Sequence, residues 1–279
     1  MLRHVLDSIT SKVLRLGGIE LHRRVPTSAQ GQHRRSSLVG LLEQANSVGL
    51  APATVIDVGA AYGAFALECH NIFPEARYIL IEPVQEYKPF LEQVTKSIPR
   101  AEHILAAAGG KIAETVINVH PDLVGSSTYL ENENSGVNGV PRTVPSITLD
   151  SLLADLGMTI PFLLKVDVQG AELDVLSGAE GVLQETEYVL LEVSFFEFFR
   201  EGPQFHEVVA FMKSAGFFTY DICGLQYRPL DGALSQADMA FVKEKGLFRK
   251  HHYYATRRQR EEQDRKLQSA KAELIEKLG

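Results

Sequence analysis

The sequence predicts one α/β domain built on a mostly parallel sheet of about seven strands, with helices on both faces. Three observations carry that expectation. Short apolar, β-branched runs alternate with amphipathic stretches between residues 54 and 242. Residues 55–65, VIDVGAAYGAF, read as a buried strand that ends in a turn of small residues and opens a helix. The chain has 279 residues, 45% of them hydrophobic, so one unit can bury a full core and two domains are not required.

The elements follow in chain order. Residues 1–24 read as a helix followed by a basic patch, and Arg23, Arg24, Arg34 and Arg35 make the early segment cationic; a solvated leader is expected. A second helix is predicted over 36–47, with Leu38, Leu41, Leu42 and Ala45 on one face and Gly49 as its stop. Residues 1–50 are therefore assigned to an N-terminal helical extension and 51–245 to the core domain. Within the core the predicted order is strand 54–58, a helix reaching residue 73, strand 78–81, a helix from 84 and strand 103–107. Stretches 112–119 and 142–147 are β-rich and bracket GSSTYLENENSGVNG, a long loop of the kind that often forms a lid. The wound pattern resumes with a helix from 151, strand 162–168, helix 171–183, strand 188–193 and helix 205–214. Strands 217–222 and 239–242 close the sheet, and Pro229 and Asp231-Gly232 between them predict an antiparallel pair. The tail 246–279 has helical composition but sparse apolar positions, which predicts an exposed charged helix rather than a coiled coil.

Composition excludes several functions. A formal net charge of −7 argues against a protein that grips nucleic-acid phosphate. The two cysteines, Cys69 and Cys223, have no partners at zinc-ligand spacing and predict neither a disulfide framework nor a structural metal. Arg3, Asp7, Lys12 and Arg15 interrupt the N-terminal apolar pattern, against a signal peptide, and no stretch of membrane-spanning length is free of charge. The expectation is a cytoplasmic enzyme with no nucleic-acid partner and no integral membrane segment. The terminal helices leave a homodimer open.

The chemistry begins at the small-residue turn 59–63, GAAYG, where a ligand can approach the backbone closely. Glu82 closes the second strand, YILIEP, where a carboxylate can accept hydrogen bonds from both ribose hydroxyls. Together these features describe a nucleoside pocket. An NAD site wants G-x-G-x-x-G, and the middle glycine is missing here. Asp57, inside the first strand, suits a cationic methionine moiety better than a pyrophosphate, so electrostatics favours S-adenosylmethionine.

Seven stretches then occur in a specific order: VIDVGAAYGAF, YILIEP, GSST, VPSITLDSLL, LLKVDVQGAELDVLSGAEGVL, VLLEV and FMKSAGF. In that combination the chain resembles the FkbM family of S-adenosylmethionine-dependent methyltransferases. The resemblance implies a Rossmann-like class I methyltransferase fold and methyl transfer to a hydroxyl on a sugar, glycan, polyketide or other secondary metabolite. The cofactor set it implies is Asp57, Gly59, Ala60, Ala61, Tyr62, Gly63, Phe65, Glu82, Pro83, Ala107, Ser127 and Asp167. Two departures stand out: Ala61 where the family turn often carries Asn, and Gln169 where it commonly carries Glu.

In open α/β sheets ligands gather at the carboxyl ends of the strands, which places Asp167 and Glu192 at the crevice. Asp167 is the first candidate for the general base, Glu192 the second, and Glu172 a positioning residue or a carboxylate complementing a helix N-terminus. The same two carboxylates are an alternative oxygen ligand pair for Mg2+. Lys165 is read as a salt-bridge partner, Asp150 as an N-cap, and His206 as a surface group. Phe195, Phe196, Phe198 and Phe199 are read as core, and Ser126 and Ser127 as either a turn or a ligand contact. Two other functions stay open at this point: an NAD-dependent oxidoreductase and a non-catalytic, cofactor-binding assembly protein.

Overall fold

Helix α1 (Leu38–Val48) opens the described part of the chain. Ser37 caps its N-terminus by accepting from the Gly40 amide, and Gly49, the stop the sequence predicts, ends it in the left-handed conformation. Leu41 and Leu42 on its apolar face are fully buried, each worth about 1.5–3 kcal/mol. The structure is a computed structural model that describes residues 35–133 and 135–278; the helix and most of the basic patch expected before residue 35 lie outside it.

The next elements are β1 (Thr54–Val58), α2 (Ala64–His70), β2 (Arg77–Ile81), α3 (Lys88–Ser97) and β3 (Ala101–Ile104). Every residue of β1 is buried, as a central parallel strand covered on both faces requires. A small excursion follows, β4 (Ala107–Ala108), β5 (Ala113–Val119) and β6 (Val140–Ile147), which forms its own three-stranded sheet in the order β4-β6-β5. The main sheet resumes through α4 (Leu149–Leu156), β7 (Phe162–Val166), α5 (Glu172–Ser177), α6 (Glu180–Glu185) and β8 (Thr186–Ser194). It closes with α7 (Phe205–Ser214), β9 (Phe217–Tyr227) and β10 (Leu234–Lys243).

The seven-stranded sheet has the order β3-β2-β1-β7-β8-β10-β9. β3, β2, β1, β7 and β8 are parallel neighbours, and β10 runs antiparallel to both β8 and β9. Side chains alternate between two cores. Val55, Leu80 and Leu163 pack with α1, α2 and α3 on one face, while Ile56, Ile79 and Leu164 pack with α4 to α7 on the other. From β1 the chain winds outward through β2 and β3, then returns and winds the other way from β7. The ends of β1 and β7 therefore flank the switch point, where a crevice opens.

Several expectations need correction. The helix predicted over 171–183 is two helices, α5 and α6. Gly178 separates them and packs so tightly on the Gly109 carbonyl oxygen that a Cβ would overlap it. The strand predicted over 103–107 ends at Ile104, and Ala107 belongs to the smaller sheet. Asp150 is not the N-cap of α4; Thr148 is, by accepting from the Ser151 amide. Asp150 instead accepts from Gly181 and Val182 (3.1 and 2.9 Å) and so caps the start of α6. The last helix, α8 (Arg257–Leu278), is exposed throughout. No described helix is long and apolar enough to cross a membrane.

Candidate active site

The floor of the crevice is two turns in contact, residues 59–63 after β1 and 167–171 after β7. Gly59 has φ +74°, and a Cβ there would overlap the Asp167 carbonyl oxygen. Only glycine meets both conditions. Gly63, at φ +75°, likewise places a would-be Cβ 2.9 Å from Val94 of α3. Three of the five described non-glycine residues with positive φ, Ala61, Leu123 and Gln169, line this one cleft. Left-handed backbone at such residues costs energy and tends to cluster where a ligand must be met.

Glu82 follows β2 and is 5% exposed. Its Oε2 accepts from the Ala61 amide (2.9 Å) and its Oε1 from the Val84 amide (2.8 Å), which ties the first turn to the end of β2. Burial pushes its carboxyl up to about 7, and the two amides oppose that shift. Each oxygen keeps a second lone pair for a ligand hydroxyl. Pro83, Val84, Ala106, Ala107 and Ile117 form an apolar wall beside it. Tyr87 is on the same wall, its hydroxyl buried with no hydrogen-bond partner. The cleft encloses about 150 Å³, less than the usual small-molecule site, and opens to solvent at its mouth.

Across the floor runs an alternating line of acceptors and donors. Lys165 Nζ lies 3.2 Å from Asp57 Oδ1 and 3.4 Å from Asp167 Oδ2, and donates to the Gly59 carbonyl at 3.0 Å. Burial works against the ammonium, but the two carboxylates outweigh it and raise its proton affinity. Asp57 is fully buried beneath the turn; burial raises its carboxyl, and Lys165 opposes the rise. The Asp57–Lys165 contact is an ion pair only, since neither Asp57 oxygen accepts a hydrogen bond of good geometry. Gln169 Nε2 then donates to Asp167 Oδ1 (3.0 Å) and to Glu192 Oε2 (2.8 Å). Glu192 also accepts from Gln236 (2.8 Å) and Gln226 (3.0 Å), so three amides converge on one carboxylate. Burial, with the charges of Asp167 and Asp238, pushes Glu192 up to about 8, while the Gln169 amide opposes it.

The lid-like loop is attached to this floor. Ser127 is buried; its hydroxyl donates to the Gln169 carbonyl (2.6 Å) and accepts from the Tyr129 amide (2.9 Å). The tip is pinned farther along, where Asn132 donates to the Phe198 carbonyl (2.7 Å) and Arg200 to the Leu130 carbonyl (2.8 Å).

Of the residues singled out in the sequence, Gly59, Ala61, Glu82, Pro83, Ala107, Ser126, Ser127, Asp167, Gln169 and Glu192 line the cleft. Asp57, Ala60, Phe65 and Glu172 lie buried outside its lining, and Tyr62 packs edge-on against Tyr87 and Phe90. Glu172 accepts from the Val168 and Gly170 amides (3.3 and 3.1 Å), so it shapes the second turn from behind; burial pushes it up to about 7. His206 is exposed on α7. Phe199 fills core under Gly170, while Phe196 lies beneath the Arg228 guanidinium, 3.8 Å from its ring centroid. Sequence reasoning missed Tyr87, Gln226, Gln236 and Asp238. Gln226 and Gln236 reach Glu192 only through the β8-β10-β9 pairing, across 34 and 44 residues, and no local pattern announces them.

A β3-β2-β1-β7-β8 parallel core closed by an antiparallel hairpin, with a glycine turn at the switch point and an acidic residue just past β2, is the architecture of class I S-adenosylmethionine-dependent methyltransferases. The chain belongs to the FkbM methyltransferase family: the family described as "Methyltransferase FkbM domain" matches residues 57–219. That assignment sets aside the oxidoreductase alternative. Among curated proteins the chain is similar to the 2-O-methyltransferase NoeI of Sinorhizobium fredii, 27% identical over 185 residues, covering 61% of this chain and 72% of NoeI. It is also 28% identical over 176 residues to the AMB antimetabolite synthetase AmbE of Pseudomonas aeruginosa, covering 50% of this chain and 8% of that protein. Solved structures that align with it include magnesium protoporphyrin IX methyltransferase (ChlM) of Synechocystis with bound SAM, at 11% identity and TM-score 0.43, covering 85% of this chain and 96% of that one.

Proposed function

We propose that the cleft holds S-adenosylmethionine with its ribose on Glu82 and its reacting end over the 59–63 and 167–171 turns, and that the acceptor is a hydroxyl of a sugar, glycan or other secondary metabolite. The supporting observation is that Glu82 and Asp167 enter one cleft from opposite sides of the switch point. The chain's own residues fit the cofactor. Glu82 keeps one lone pair per oxygen, the Tyr87 hydroxyl lacks a partner, and Ala106 and Ala107 line the cleft with small apolar side chains. Similarity to a protein named as a 2-O-methyltransferase favours oxygen as the accepting atom.

Bound, the cofactor supplies a methyl group on a sulfonium, and the acceptor oxygen takes that methyl as the carbon–sulfur bond breaks. Asp167 is the base that receives the hydroxyl proton. Lys165 on one oxygen and Gln169 on the other fix its orientation. Glu192 is the acceptor for a neighbouring substrate hydroxyl, and Glu172 holds the turn that carries Asp167. Alignment of this kind supplies up to about 7–11 kcal/mol, and a positioned base about 10²–10⁴-fold in rate.

The test is transfer of labelled methyl from S-adenosylmethionine to a panel of hydroxylated and aminated acceptors, with Asp167→Asn beside the wild type. Transfer to hydroxylated acceptors, slowed about 10²–10⁴-fold in the variant at unchanged S-adenosylhomocysteine affinity, is expected. Transfer confined to amines would overturn the acceptor assignment, and full activity of the variant would overturn the role of Asp167.

A further inference from the structure

Two carboxylates at adjacent strand ends, Asp167 after β7 and Glu192 on β8, face a common point. Two ionised carboxylates facing one point repel, and a positive charge or a hydrogen-bond donor between them relieves that repulsion. A shared proton or a divalent cation bound by oxygen ligands would each serve. Here the point is occupied by Gln169 Nε2, whose two N–H groups go one to each carboxylate. The opposite amide orientation would set the Gln169 carbonyl oxygen against both carboxylates, so the network fixes the nitrogen's position.

Gln169 is held there firmly. Its backbone is left-handed at φ +55°, a conformation a non-glycine residue adopts at a cost. The Ser127 hydroxyl clamps its carbonyl from the lid, and Gly170 behind it packs on the ring of Phe199 with no space for a Cβ. Glu192 also accepts from Gln236 on the same oxygen and from Gln226 on the other, which leaves one lone pair free on Oε1. The donor set around the gap is thus three amides and one ammonium, Lys165. In this arrangement the gap presents N–H groups where Mg2+ needs oxygen lone pairs; to admit the ion, the Gln169 amide would have to turn over and Gln236 to leave Glu192 Oε2.

We propose that Gln169 is a positioning residue that stands in for a cation between Asp167 and Glu192, so that this methyltransferase orients its base with a fixed amide and without a divalent metal. The proposal rests on the reading of Asp167 as base only for its catalytic meaning; the amide-for-cation claim is tested separately.

The experiment is titration of the full chain with Mn2+, followed by electron paramagnetic resonance, for the wild type, Gln169→Glu and Gln169→Ala. Each variant is first checked for a cooperative thermal transition and for S-adenosylhomocysteine binding. Glu at 169 places a third carboxylate at the gap in nearly the same volume. It should create a one-equivalent Mn2+ site at least ~10-fold tighter than any in the wild type. Ala removes the donor and leaves the facing pair, so it should gain Mn2+ more weakly; it carries the test if the Glu variant does not fold. Equal Mn2+ binding by wild type and variants overturns the proposal. If it is tight in all three, the gap accepts a cation; if absent in all, the amide is not what keeps one out. A variant that loses S-adenosylhomocysteine yet gains Mn2+ still supports the amide role while counting against the cofactor placement.

Discussion

Replacing Lys165 by methionine strands a buried charge, and its consequence can be worked from the distances. Asp57 is fully buried, and the lysine ammonium sits 3.2 Å from its Oδ1. At an effective dielectric of about 20, a unit pair at that separation attracts by about 5 kcal/mol before desolvation is counted. The contact to Asp167 at 3.4 Å adds less, since that side chain is 32% exposed and water screens it. Removing one partner of a buried pair typically costs about 3–5 kcal/mol, so Lys165→Met should lose that much unfolding free energy at neutral pH. For a domain of this size the melting temperature should fall by about 6–20 °C. Methionine preserves the aliphatic packing, so cavity terms stay small. The loss has a pH signature. Burial raises Asp57, and with Lys165 gone nothing equivalent opposes the rise, so the folded state favours the protonated form. The penalty is then complete above the folded-state value and shrinks as pH falls toward the ordinary carboxylate range. Urea denaturation at pH 5 and pH 7 measures both quantities, and the double variant Asp57→Asn, Lys165→Met should recover most of the loss. A single-variant cost below about 1 kcal/mol, or no recovery in the double variant, would refute the picture of Lys165 as the counter-ion of a buried Asp57.

Other outcomes follow from the same geometry. Gly59→Ala must place a methyl group on the Asp167 carbonyl while holding φ at +74°; strain of about 1–2 kcal/mol plus overpacking of about 1–3 kcal/mol should lower stability and weaken S-adenosylhomocysteine together. Native-like stability measured by chemical denaturation would contradict the contact between the two turns. Glu82 and Glu172 are pushed up to about 7 and Glu192 to about 8, all above the ordinary value. The unfolded chain releases those protons first as pH rises. Unfolding free energy should therefore fall from pH 5 to pH 8, by at least about 2 kcal/mol in total, and stability that rises over that interval would mean the three are ionised throughout.

The alternation of β-branched runs with amphipathic stretches was enough to place β1, β2, β7 and β8, because a parallel sheet covered on both faces leaves its inner strands as continuous apolar segments. Gly49 and the 205–214 helix were legible for local reasons, a stop and an apolar face. What was not legible depended on contact between distant segments. Gly178 reads as one more residue in a helical pattern until Gly109 arrives against it. Asp150 looks like the cap of the helix beside it, yet its carboxylate serves α6, some thirty residues on. The site divides the same way. Glu82 and Asp167 were legible as strand-end carboxylates, whereas the amides on Glu192 come from the antiparallel hairpin and Tyr87 from a short 3₁₀ turn. Asp57 was read for its suitability to a positive charge; the fold sets Lys165 beside it, on the neighbouring strand at the paired register position.

The measurement closest to the central claim is calorimetric titration of S-adenosylhomocysteine into the full chain, with Glu82→Gln alongside. Glu82→Gln keeps the shape but exchanges one acceptor oxygen for a donor, which sets an N–H against either the Ala61 or the Val84 amide and removes a charged hydrogen bond to the ribose. Micromolar binding by the wild type, weakened at least ~10-fold in a folded Glu82→Gln variant, is the predicted result. Undiminished affinity in that variant, or no binding by the folded wild type, would contradict the placement of the cofactor in this cleft.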